Sequence, residues 1–171
     1  VVLTQAGISG ERKIIFELQN GHYPLVFIHD LTLECGDTSA QIDFLVVTPF
    51  NVLLIECKNL LGDIEIDESG TFIRTFGTGK YRRREAIYSP IAQSKRHIEL
   101  IKAQTRSSHG KLVNLIQHYA LDDYYHSVVV LANEKTILTA NDAPRDVVDH
   151  VIRAEALMDY IADLDKRYAY D

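Results

Sequence analysis

Residues 42–59 read Ile-Asp-Phe-Leu-Val-Val-Thr-Pro-Phe-Asn-Val-Leu-Leu-Ile-Glu-Cys-Lys-Asn, two short apolar runs bordered by three charges. Residues 44–47 and 52–55 are dense in the β-branched and large apolar side chains that strands favour. Thr48-Pro49-Phe50-Asn51 lies between them as a turn-like break. A hairpin whose loop centres between Pro49 and Phe50 sets residue 48 opposite 51, and counting outward sets Asp43 opposite Glu56. Facing residues on paired strands have Cβ atoms about 4.5–5.5 Å apart, and like charges so placed repel. Side chains alternate along a strand, so Glu56 and Lys58 share one face while Cys57 points to the other. Two carboxylates and an ammonium therefore gather at one end of an apolar hairpin. A same-face ion pair at a strand end, with Asp43 in water, is the plain account of any Asp…Glu-x-Lys match. Here the run before Glu56 is continuously apolar, and burying an unpaired carboxylate is costly. The cluster calls for a cation or a polar partner.

The chain's 171 residues, 46% hydrophobic and 25% charged, fit one domain over residues 1–171 with a substantial core. No apolar stretch approaches the roughly 20 residues needed to cross a bilayer, and no signal-peptide pattern is visible. Cys35 and Cys57 form no close metal-binding pair and read as small buried thiols of a reducing compartment. A cytoplasmic protein without a membrane partner is expected. The seven histidines show no close ligand spacing and read as surface or satisfied core residues.

The net charge of −6 argues at first against a polyanionic partner, but the distribution argues the other way. Residues 80–111 carry nine basic side chains against Glu85 and Glu99, a net of +7 that leaves −13 for the remainder. Such asymmetry can place a basic face on an acidic protein. Lys80, Arg82, Arg83 and Arg84 surround Tyr81, a mixture that suits phosphate contact and base stacking.

The rest of the chain alternates short strands and helices. Ser9 can cap a helix with Ile14, Ile15 and Leu18 as its apolar positions, ended by Asn20-Gly21. Strands are expected over residues 23–33, 64–66, 71–76 and 128–131, with an exposed loop over 77–84. Ser89-Pro90 starts a long helix, since Ser caps and Pro suits the first helical position. A second helix is expected over 111–119, a helical turn from Pro144, an edge strand over 150–153 and a closing amphipathic helix over 155–167. This order implies a mixed sheet with helices packed on it.

Several of these local patterns agree with one family. The chain resembles the NERD, or nuclease-related, domain of the PD-(D/E)xK nuclease superfamily. The matching pieces are Gly10-Glu11, Gln41-Ile42-Asp43, Ile55-Glu56-Cys57-Lys58-Asn59 with Gly62, and Tyr88-Ser89-Pro90-Ile91-Ala92-Gln93, in the family's order. Gln41-Ile42-Asp43 lacks the Pro-Asp dipeptide that names the superfamily, a usual form in this family. The resemblance implies a restriction-endonuclease-like α/β core of three layers, a central mixed sheet flanked by helices.

It also implies a divalent-metal-dependent nuclease cutting DNA. Asp43 and Glu56, with a backbone carbonyl near Cys57, are hard oxygen ligands that suit Mg²⁺ or Mn²⁺. The family pattern adds Glu11 to the ligand shell and sets Gln93 beside the metal centre, where it positions Lys58 or the substrate backbone. Lys58 would orient the attacking water or stabilise charge on phosphorus. Lys95, Arg96 and the arginines at 82–84 would hold neighbouring phosphates, and a homodimer acting on duplexes is compatible with one site per chain. The alternatives are a nucleic-acid-binding module that keeps the nuclease fold with little or no turnover, and a scaffold whose ion cluster fixes strand register.

Overall fold

A computed structural model describes residues 2–35, 38–107 and 122–169. The helix expected over 111–119 lies outside them, as do His109 and His118. The elements run α1 (Val2–Asn20), β1 (Val26–Cys35), β2 (Thr38–Val47), β3 (Val52–Lys58), β4 (Asp63–Ile66), β5 (Phe72–Phe76), β6 (Arg83–Ala86) and α2 (Pro90–Ser107). They continue as β7 (Tyr125–Leu131), β8 (Leu138–Thr139), α3 (Arg145–Val148), β9 (Val151–Arg153) and α4 (Leu157–Tyr168). Among the described residues no helix is long and apolar enough to cross a membrane.

The central sheet has five strands in the order β1-β2-β3-β7-β9. β1, β2 and β3 are antiparallel neighbours, whereas β7 runs parallel to β3 and β9 parallel to β7. Both of its faces are covered, which is why its inner strands read as unbroken apolar runs. On one face Leu53 and Ile55 of β3 pack with Ile14 and Leu18 of α1 and with Leu157, Ile161 and Leu164 of α4. On the other, Val52 and Leu54 pack with Ile98 and Ile101 of α2. A smaller sheet, β6-β5-β4-β8, joins that second layer, where Ile64, Ile66 and Phe72 meet Ile91 of α2 and Val129, Leu131 and Val151. The result is a mixed α/β architecture with a central sheet between helical layers, consistent with a restriction-endonuclease-like core.

The β2–β3 register follows the count made on the sequence: Phe44 pairs with Ile55 and Val47 with Val52. The turn between them closes through Thr48, whose amide donates to the Asn51 carbonyl at 2.9 Å and whose Oγ1 accepts the Asn51 N–H at 2.9 Å. At the start of α2, Ser89 Oγ accepts the Ala92 amide at 3.3 Å, the cap expected of Ser before Pro.

Two expectations are corrected. Ser9 caps nothing, because α1 already begins at Val2. A Ser-Gly step in a helix costs only about 1 kcal/mol, less than the packing that the turns around it gain against the sheet. Residues 83 and 84, expected as the end of an exposed loop, belong to strand β6, paired with β5. All four of its residues are exposed. Main-chain pairing holds it, and its edge charges gave it the composition of a loop.

Candidate active site

The charged cluster forms at the C-terminal end of β3. One step beyond the last ladder pair of β2 and β3, Asp43 comes opposite Glu56. The Asp43 carboxylate folds onto β3, where its Oδ2 accepts the Cys57 N–H at 2.8 Å. Glu56 is only 2% exposed, and Lys58 Nζ donates to its Oε1 at 2.6 Å. Two residues apart on one strand, the pair shares the face that meets α2. Cys57 turns to the α1 side and packs on that core.

Burial pushes the Asp43 carboxyl above its usual range, against the stabilising Cys57 amide and the Lys58 charge. It raises Glu56 likewise, with Lys58 opposing and Asp43 adding to the shift. Burial also pushes the Cys57 thiol up to about 12, helped by the surrounding carboxylates. That thiol is inert at neutral pH, and its contribution to any ion would come from the main chain.

Glu11 arrives from α1. Gly10 lets the helix approach: a Cβ there would lie 2.6 Å from Asn59 Cβ, 3.1 Å from Cys57 Sγ and 3.2 Å from Ala132 Cβ. This close contact sets the next residue, Glu11, near enough to Asp43 to raise its pKa. His29 Nε2 of β1 lies 3.0 Å from Glu11 Oε2, and the His29 ring stacks on Phe44 with centroids 4.7 Å apart. Glu11 is thus beside the cluster but tied to His29.

From α2, Gln93 Oε1 accepts from Lys58 Nζ at 3.4 Å, and the Gln93 side chain helps hold the charge of Glu56. His97, four residues further on the same helical face, brings its Nδ1 to 4.0 Å from Glu56 Oε2. Neither atom has a hydrogen-bond partner, and both are buried. The sequence reading missed His29 and His97 as members of the site. The Gln93-x-x-x-His97 spacing was a usable signal for the second.

The cations divide. Arg84 Nη2 donates to Glu65 at 3.0 Å across the small sheet, so its guanidinium is shared with that carboxylate. Arg82 and Arg83 are exposed, and Lys80 lies over the Tyr81 ring at 5.2 Å. Arg96 stacks over Tyr88 at 4.9 Å, with Tyr88 57% exposed. In that pair Tyr88 lies five residues before Gln93, and Arg96 lies one residue before His97. Lys95 instead points into a separate hollow with Ile98, Glu99, Lys102 and Tyr125. A groove of about 910 Å³ runs along α1 past Ile8, Arg12 and Phe16 to Glu134 and Glu155. None of the cluster residues lines it.

The donor set can be tested against a metal ion. Among the described residues no three His, Cys, Asp or Glu side chains converge in a metal-holding group, which is a poor set for zinc. Two carboxylates near main-chain carbonyls match the demands of a hard ion that keeps several waters. Glu56 Oε2, buried and unpartnered, is an acceptor in need of a positive charge or a donor. Asp43 and Glu56 could hold such an ion.

Comparison with known proteins gives a family model described as the nuclease-related domain, which matches residues 6–132. No curated protein and no solved structure matches significantly. The matched span includes Glu11, Asp43, Glu56, Lys58 and Gln93.

Proposed function

The chain belongs to the nuclease-related domain family, and on that footing we propose that it is a divalent-metal-dependent nuclease hydrolysing DNA phosphodiester bonds. The observation that carries this reading is Glu56: a carboxylate at 2% exposure, gathered with Asp43 and Lys58 at one end of β3, with Lys58 Nζ donating to it at 2.6 Å.

In this reading Asp43, Glu56 and the Cys57 carbonyl would hold Mg²⁺ or Mn²⁺, and Glu11 would complete the ligand shell directly or through a water. The bound ion supplies positive charge that polarises a phosphodiester oxygen and lowers the pKa of a water. The protein's own groups do the rest. Asp43 stays aimed because the Cys57 amide fixes it. Lys58 is held between Glu56 and Gln93 with its ammonium at the reacting end of β3, where it orients the attacking water or stabilises charge developing on the phosphoryl oxygens. Gln93 sets the reach of Lys58 and can donate its amide to the substrate backbone. Lys80, Arg82, Arg83 and Arg96 hold flanking phosphates. The sharing of Arg84 with Glu65 and the sideways course of Lys95 make these two the weaker contributors.

The test is cleavage of circular single-stranded and linear double-stranded DNA with Mg²⁺, Mn²⁺ or EDTA, beside Asp43→Asn and Lys58→Ala. Metal-dependent products, reduced about a hundredfold or more in both variants, are expected. Well-folded wild type that binds DNA and cuts neither substrate would replace this reading with that of a nucleic-acid-binding module.

A further inference from the structure

Among the described residues, Glu56 Oε2 and His97 Nδ1 are the two buried side-chain polar atoms without a hydrogen-bond partner. They face each other at 4.0 Å, on side chains 3% and 12% exposed. An unsatisfied buried polar atom costs about 1–3 kcal/mol, so two of them aimed at one another mark a gap that something fills. The separation is too long for a direct hydrogen bond.

Geometry discriminates between fillers. A water about 2.8 Å from each atom subtends an angle of about 90° at its oxygen, which a water accepts. An ion about 2.1 Å from each would need about 145° between its ligands, far from the right angles and straight lines of an octahedral shell.

We infer that His97 is a positioning residue of this site: its Nδ1 holds the free oxygen of Glu56 through one water, opposite Lys58 on the other oxygen. The carboxylate is then gripped on both oxygens, and its orientation toward an ion and the scissile phosphate is set before either arrives. The water donates one hydrogen to Oε2 and meets Nδ1 with its remaining hydrogen-bonding capacity, so neither imidazole tautomer breaks the link. The inference rests on the nuclease reading for its catalytic consequence, but its effect on ion affinity can be read without turnover.

The experiment compares wild type with His97→Leu, His97→Asn and His97→Gln. An Asn amide lies near the Nδ1 position, whereas a Gln amide lies nearer Nε2. Mn²⁺ affinity is measured by calorimetric titration without DNA, and kcat and KM for DNA are measured at saturating Mn²⁺. His97→Leu should lose about 10–100-fold in Mn²⁺ affinity, with lower kcat and little change in KM, while its melting temperature holds or rises. His97→Asn should recover most of both losses and His97→Gln little. If wild type cuts and His97→Leu matches it in Mn²⁺ affinity and kcat, the positioning role is overturned and the nuclease reading stands. If neither wild type nor any variant cuts but Mn²⁺ affinity falls in Leu and returns in Asn, the positioning role stands and the nuclease reading fails. Should His97→Leu not fold, equal Mn²⁺ affinities in the Asn and Gln variants would overturn the assignment to Nδ1. Wild type that binds no Mn²⁺ overturns both.

Discussion

Asp43 caps the Cys57 amide: its Oδ2 takes that N–H at 2.8 Å just past the last β2–β3 ladder pair, Phe44 with Ile55. One side chain thereby closes the sheet's hydrogen bonding and holds a carboxylate beside Glu56. The arrangement comes at the cost of keeping two acids in a water-poor setting.

That cost sets a pH dependence. The carboxyl pKa values of Asp43 and Glu56 are raised by burial, so the folded chain holds these protons to higher pH than the unfolded chain does. The associated stability is full below the ordinary carboxyl pKa and is lost as pH rises through the folded value. Glu56→Gln in EDTA should therefore melt above wild type at pH 7, by about 2–4 °C for each kcal/mol released. The gap should close towards pH 4. Melting curves across this range decide it, and a gap that widens in acid would show that burial does not strain Glu56.

Gly10→Ala tests the approach of α1 to β3. The added methyl would meet Asn59 Cβ at 2.6 Å, and overpacking of this kind costs about 1–3 kcal/mol. Because Glu11 is the next residue, cleavage at a temperature where the variant is fully folded should fall along with stability. Full activity in a destabilised variant would remove Glu11 from the site.

At the other end of the sheet a buried network ties α4 to the β2–β3 turn. Asp165, 1% exposed, accepts from Thr48 Oγ1 and Asn51 Nδ2 at 2.6 Å and from the Tyr23 hydroxyl at 2.9 Å. His126 Nε2 lies 2.9 Å from Asn51 Oδ1, and burial lowers its pKa to about 4. A depressed histidine pKa gives stability that is present above the ordinary value and lost as pH falls through the folded one. Denaturant unfolding should show stability falling from this group between about pH 6.5 and 4. His126→Gln, which keeps an amide donor, should flatten that slope. An unchanged slope would place the acid sensitivity elsewhere.

The division among cations predicts unequal effects on single-stranded DNA binding. Arg96→Ala should lower the slope of log affinity against log salt by about 0.7, and Tyr88→Ala should cost about 1–3 kcal/mol if a base stacks there. Arg84→Ala, whose guanidinium is shared with Glu65, should leave the slope nearly unchanged. Titrations at several salt concentrations test this, and equal slopes for the two arginine variants would sink the distinction.

The sequence by itself determined the hairpin, its register and the convergence of Asp43, Glu56 and Lys58. Strand alternation and counting from a four-residue turn are local rules, and they act within a few residues of Thr48. It also fixed the start of α2 at Ser89-Pro90, and with it the placing of Gln93, because capping is equally local. The tertiary structure alone decided what lies across the layers. His97 on α2 meets Glu56 on β3, His29 on β1 holds Glu11 on α1, and Arg84 on β6 reaches Glu65 on β4 across the intervening β5. Asp165 reaches a turn 117 residues earlier. No periodicity encodes such meetings. They depend on which faces two elements bury against each other, which is settled only when the apolar stripes of α1, α2 and α4 are packed on the sheet together.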